Sequence, residues 1–131
     1  MKYIFTAHGH PNILATHRTT LEITKDSELT TRGNCVVAVA ADFSLERIRE
    51  LIQNCDRIKL TITVAGMKDE ITAAPNRSYS SDTELVLRKG DFLSDRTLGT
   101  RACKAAADLK RGMIDALKSG NMAATITIDV L

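Results

Sequence analysis

The chain's three histidines, His8, His10 and His17, all lie within its first 17 residues. A neutral imidazole is a good ligand for a divalent metal. His8 and His10 are two apart and share a face of any strand that contains them, and a turn over residues 9–13 would bring His17 back beside them. They form a candidate metal set, with Glu22 as a further carboxylate. A divalent ion held there would lower the pKa of a bound water and supply a nucleophile for hydrolysis of a phosphate ester. Strand alternation works against the full set: His17 shares a face with Thr19, Leu21 and Ile23, so Glu22 points the other way unless a bulge intervenes. H-x-H is also a weak motif, and the alternative is that each imidazole simply bonds nearby backbone.

A second group is the arginine of each of two similar stretches, Leu29-Thr30-Thr31-Arg32 and Leu93-Ser94-Asp95-Arg96. The planar, permanently charged guanidinium suits phosphate or carboxylate, and a helix starting near Asp95 would add free backbone N–H donors. Arg32, Arg96, Glu22 and Asp95 are therefore the candidate catalytic groups, and Thr20, Arg32 and Arg96 the candidate contacts to an anionic substrate. The alternative is that Ser94 and Asp95 cap the helix while each arginine holds its own loop. No Walker loop, G-x-S-x-G elbow, H-E-x-x-H, dinucleotide fingerprint or cysteine zinc pattern occurs. Cys35, Cys55 and Cys103 are odd in number and widely spaced, and are expected to be reduced and buried.

These residues need a scaffold. Residues 2–8 and 14–24 read as two strands paired in a hairpin through the turn Gly9-His10-Pro11-Asn12. The apolar run 35–40 reads as a central strand, and Ser44 caps a helix to about residue 54 with Leu45, Ile48 and Ile52 on one face. Residues 58–65 alternate as a half-buried strand, and 68–74 and 83–89 flank the polar loop 75–82 as a second hairpin-like pair. The longest helix is expected over 100–119, with a buried stripe through Ala102, Ala106, Leu109, Met113 and Leu117 and with Lys104–Asp108 and Arg111–Asp115 as solvated pairs. A strand follows, with Ile126, Ile128 and Val130 inward. The fold class is α+β, mostly antiparallel sheet with two helices.

Displaced by 64 positions, the chain partly matches itself. Leu21-Glu22-Ile23-Thr24-Lys25 meets Leu85-Val86-Leu87-Arg88-Lys89, and Thr61-Ile62-Thr63-Val64 meets Thr125-Ile126-Thr127-Ile128. The expectation is one domain over 1–131, made of related halves 2–65 and 67–130 about a pseudo-twofold axis that sets Arg32 and Arg96 in corresponding places. Charge is balanced between the halves, eight basic and seven acidic residues in 1–66 against ten and nine in 67–131, so neither half is a basic tail. No signal peptide and no run of about 18 apolar residues occurs, which leads us to expect a cytoplasmic chain without a membrane partner.

Gly9-His10-Pro11-Asn12, Thr16 to Glu22, Leu29 to Cys35, Asp95-Arg96-Thr97-Leu98 and Lys104 to Leu109 together resemble a small, mainly archaeal family of proteins without an assigned activity, over nearly the whole chain. The resemblance implies an archaeal-type cytoplasmic protein and brings no cofactor or catalytic residue to carry over; some members bear an endonuclease label. Members often have Pro at the place of Thr31 and Asp at the places of Asn34 and Cys103. Three functions follow as expectations: a metal-assisted hydrolase of phosphate esters, in keeping with an endonuclease; a non-catalytic module binding an anionic small molecule or RNA; and a structural homo-oligomer joined through outward Thr-rich strands.

Overall fold

The computed structural model describes all 131 residues. Its elements in chain order are β1 (Lys2–His8), β2 (Thr20–Thr24), β3 (Val36–Ala38), α1 (Leu45–Ile52), β4 (Ile58–Val64), β5 (Met67–Pro75), β6 (Glu84–Arg88), β7 (Thr97–Thr100), α2 (Arg111–Lys118) and β8 (Ala123–Val130). The fold is α+β: two helices with a mixed, mostly antiparallel sheet in the order β1-β8-β4-β5-β7-β6-β2-β3. The outermost strands of that order meet. His8 and Val39 exchange both backbone hydrogen bonds, at 2.7 and 2.8 Å, so the sheet curls until its edges touch. Curling buries one face of each strand. Leu21 and Ile23, Leu60 and Ile62, Leu85 and Leu87, and Ile126 and Ile128 point into a single aliphatic core, joined by Ile48 and Ile52 of α1 and Met113 and Leu117 of α2.

Ser44 caps α1 as its sequence demands, its Oγ accepting the Arg47 N–H at 3.3 Å. The strand β4 alternates as expected, with Ile58, Leu60, Ile62 and Val64 buried. Other expectations fail. β1 and β2 do not form a hairpin: β1 pairs with β8, while β2 pairs with β6 and, in parallel, with β3. Only Thr20–Thr24 of the anticipated second strand is extended, because residues 9–19 run irregularly past the end of α2. A Cβ on Gly9 would lie 2.1 Å from the Leu117 carbonyl oxygen, so only glycine allows that approach. β5 and β6 are not partners either; β5 pairs with β4 and β7, and β6 with β2 and β7.

The helix expected over 100–119 is replaced by β7, an irregular segment with one 3₁₀ turn at Ala106–Asp108, and the short α2. Burial of Ala102, Ala106 and Leu109 was anticipated correctly, but their spacing serves a segment packed flat on the core rather than a helix stripe. The i,i+4 charge pairs accordingly do not form. Lys104 bonds the buried Asp69, Asp108 pairs with Lys89 at 2.7 Å, and Arg111 donates to the carbonyls of Leu109, Ala15 and Ala106. Of the cysteines only Cys55 is buried, Cys35 being half-buried and Cys103 exposed.

Several hydrogen bonds recur along the chain. Lys25 N–H donates to the Thr83 carbonyl (2.8 Å), and Lys89 N–H to Thr19 (2.9 Å). Ala40 and Ala41 donate to Asp26 and Thr24; Arg101 and Ala102 donate to Gly90 and Arg88. Ala40 and Arg101 also share a left-handed backbone, φ 51° and 52°. Glu22 N–H donates to Cys35 and Val86 N–H to Arg96, each 2.9 Å long. By that bond Cys35, not Arg32, stands where Arg96 stands.

Candidate functional site

The three histidines are not brought into one ligand set, and no group of three or more His, Cys, Asp or Glu side chains is placed to hold a metal ion. Each imidazole is occupied locally or enclosed. His10 Nδ1 accepts the Asn12 N–H at 3.0 Å. His17 Nδ1 accepts the N–H groups of Thr19 and Thr20 at 3.2 and 3.0 Å, which places the ring proton of the neutral form on Nε2. His8 Nδ1 is buried without a partner. Elsewhere in the chain the same jobs fall to residues with no metal chemistry. Asn76 Oδ1 accepts the Ser78 N–H (3.1 Å) as His10 accepts Asn12, and Ser81 Oγ accepts Thr83 and Glu84 N–H (3.3 and 3.0 Å) as His17 accepts Thr19 and Thr20. These residues do not fit a divalent metal.

Glu22 and Arg96 do come together. They lie on the outer face of the β2–β6 pair, opposite the core side of Leu21, Ile23, Leu85 and Leu87. Arg96 Nη1 is 3.5 Å from Glu22 Oε1 and 2.6 Å from Oε2 of Glu84, a partner with no sequence signal, since it depends on the antiparallel register of β2 and β6. Two carboxylates share one guanidinium. Burial and the repulsion of Glu84 push the Glu22 carboxyl above its ordinary pKa despite Arg96. Burial and the neighbouring Glu22 likewise push the Cys35 thiol up to about 11, so it stays protonated and donates to Glu22 Oε1 at 3.7 Å. The surplus negative charge of the cluster makes it a poor seat for an anion.

Of the other expected site residues, Arg32 is exposed on the loop between β2 and β3, and Asp95 is exposed beside a cleft of about 250 Å³ lined by Asn76, Ser78, Leu93, Ser94 and Asp95. No helix begins at Asp95, so the donors expected of a helix start are missing there. Thr20 lies opposite Arg88 in the β2–β6 ladder. Arg88 is a residue the sequence reading passed over. Its Nε donates to Thr97 Oγ1 at 2.9 Å, and its guanidinium lies 5.0 Å from the centroid of Phe92, a ring 66% exposed.

The surroundings of Arg88 differ from those at the other end of the same strand pair. Where the Lys25 N–H meets Thr83, the adjoining residues in the chain are Thr24, Asp26 and Asp82, with Glu28 further along the loop, and the Lys25 ammonium is bound to Asp82 at 2.9 Å. Where the Lys89 N–H meets Thr19, the corresponding neighbours are Arg88, Gly90, Phe92 and Arg18, with Arg101 in the place of Ala40. Arg101 is paired with Asp91 (3.0 Å) and Lys89 with Asp108, but neither Arg18 nor Arg88 has a carboxylate within salt-bridge distance. One end is acidic and the other basic with an exposed aromatic ring, on backbones bonded alike.

Residues 5–131 match the family described as "Domain of unknown function (DUF371)". A curated relative, "Uncharacterized protein MJ0206" of Methanocaldococcus jannaschii, is 38% identical over 126 residues, covering 92% of this chain and 93% of the relative. No helix is long and apolar enough to cross a membrane.

Proposed function

The chain belongs to this family, whose function is not known, and we propose from its geometry that it is a binding module for an anionic ligand, seated at the Arg88 end of the β2–β6 pair. One observation carries the reading: the two ends of that pair have matching backbone hydrogen bonds, yet only one gathers Arg18, Arg88 and Arg101. The shared backbone bonds do not need those guanidiniums, because the other end makes the same bonds with Asp82, Thr24 and Ala40 in their places, and Arg88 spends only its Nε on the fold, at Thr97. Unneutralised positive charge on a surface otherwise balanced attracts phosphate or carboxylate. The reading also treats residues 2–65 and 67–130 as related halves, which the recurring bonds and the shared left-handed residues Ala40 and Arg101 support.

Titration with inorganic polyphosphate tests it. Affinity falls with added salt, survives a chelator, and drops about tenfold in the Arg18→Ala, Arg88→Ala double variant. Binding indifferent to salt and to both substitutions would dismiss the proposal.

A second reading, hydrolysis of a phosphate ester, draws on Glu22, whose carboxyl is raised above its ordinary pKa by burial and the neighbouring Glu84, beside Arg96. Glu22 would act as an acid near a ligand anchored at Arg88, on the same outer face.

A further inference from the structure

Phe92 narrows the class of anion. Its ring and the side chain of Leu93, 66% and 61% exposed, stand in the loop between β6 and β7. Two residues past Gly90 the chain has Phe92; two residues past Asp26, in the loop that follows β2, it has Glu28. An aromatic ring left in water costs hydrophobic free energy, and a charged side chain in the other loop shows that the turn does not require it. Arg88 covers one face of the ring, and the ring's exposure leaves room for a flat partner on the other. A bare phosphate has no use for such a face. A nucleobase does, because stacking on an aromatic side chain flanked by guanidiniums is the common way to hold single strands.

We propose that this end of the β2–β6 pair binds single-stranded nucleic acid, with one base stacked on Phe92 and backbone phosphates at Arg88, Arg18 and Arg101. The proposal rests on the anion reading above. Arg101 and Asp91 are both 75% exposed, so their ion pair yields to a phosphate at little cost. The guanidinium of Arg88 keeps its two terminal nitrogens available, since only Nε is committed, to Thr97. A duplex presents no unstacked base to the ring and gains only the charge contacts.

The test compares a fluorescent 12-nucleotide oligouridylate, the corresponding 12-base-pair RNA duplex, inorganic polyphosphate and poly-glutamate, each titrated against the full chain and its Phe92→Ala, Phe92→Tyr and Glu28→Ala variants. Phe92 is exposed, so its replacement leaves the core intact, and an unchanged thermal transition verifies this. The expected result is that Phe92→Ala weakens oligouridylate binding about tenfold, while Phe92→Tyr and Glu28→Ala leave it unchanged and polyphosphate binds all four proteins equally. If polyphosphate binds and Phe92→Ala does not alter the oligonucleotide affinity, the single-strand proposal falls and the anion reading survives. If neither polyanion binds, both fall. Tighter binding of the duplex than of the single strand, or an equal loss of poly-glutamate binding in Phe92→Ala, also overturns it, the latter in favour of an acidic protein partner.

Discussion

At one end of the β2–β6 pair the Lys25 N–H reaches across to Thr83, with Asp26 and Asp82 next to those residues in the chain; at the other, the Lys89 N–H reaches across to Thr19, with Arg88 and Arg18 next to them and Arg101 bonded to Gly90. The main-chain bonds match in donor, acceptor and length, so the backbone cannot be what separates the two ends. What separates them is side-chain chemistry that the fold leaves free to vary. A surface feature present at only one of two similarly bonded pieces of backbone is better evidence of a ligand than the same feature met once, because the other piece shows what those bonds alone demand. The same comparison works in reverse for the histidines. Asn76 and Ser81 do for the second half of the chain what His10 and His17 do for the first, which makes local capping a sufficient reason for the imidazoles.

The largest effect that bears on this comparison is the capping itself. His17→Ala and Ser81→Ala remove acceptors for two N–H groups each, and both should cost about 1 kcal/mol in urea unfolding, with His17→Asn recovering part of the loss. Unequal costs, or a His17→Ala loss that appears only when metal is added, would break the equivalence.

A smaller effect concerns Glu22, which faces Val86 in the ladder, so that the same pair carries a carboxyl on one strand and a methyl-bearing side chain on the other. Folding raises the Glu22 pKa, so its contribution to stability is fully present below the unfolded value of 4.5 and is lost as pH rises through the folded value. Glu22→Gln removes this loss. It should stabilise the protein by roughly 0.5 kcal/mol at neutral pH and by nothing at pH 4, since Arg96 keeps its closer partner Glu84. A variant destabilised at neutral pH would mean that the Arg96 contact outweighs the burial.

Much of the scaffold could be read in advance where one segment carried its own signal. Ser44 before Leu45, Ile48 and Ile52 marked α1, and strict alternation marked β4. Strand partners could not be read, because pairing β2 with β6 and closing β1 onto Val39 are long-range choices that leave no local trace. The helix expected over 100–119 failed for a related reason: alanine spacing reports burial, and Ala102 and Ala106 are buried without being helical. At the site, Glu22 and Arg96 were identified and do meet, whereas Glu84, Arg88 and Phe92 were passed over. Their significance depends on register and on the contrast with Thr24 and Glu28. The displacement of 64 residues, visible in the sequence, separates Lys25 from Lys89 and Thr19 from Thr83, so it was the most useful guide to which residues should be compared.

Anions are predicted to gather at one end of the β2–β6 pair and not at its counterpart. Backbone amide resonances of the isotope-labelled chain, followed by NMR as inorganic polyphosphate is added, test it most directly. We predict that the signals of Arg18, Thr20, residues 88–92 and Arg101 move together, while those of Asp26, Glu28, Ala40 and Asp82 stay in place. Equal movement at both ends, or movement confined to the bend around His8 and His10, would contradict the account.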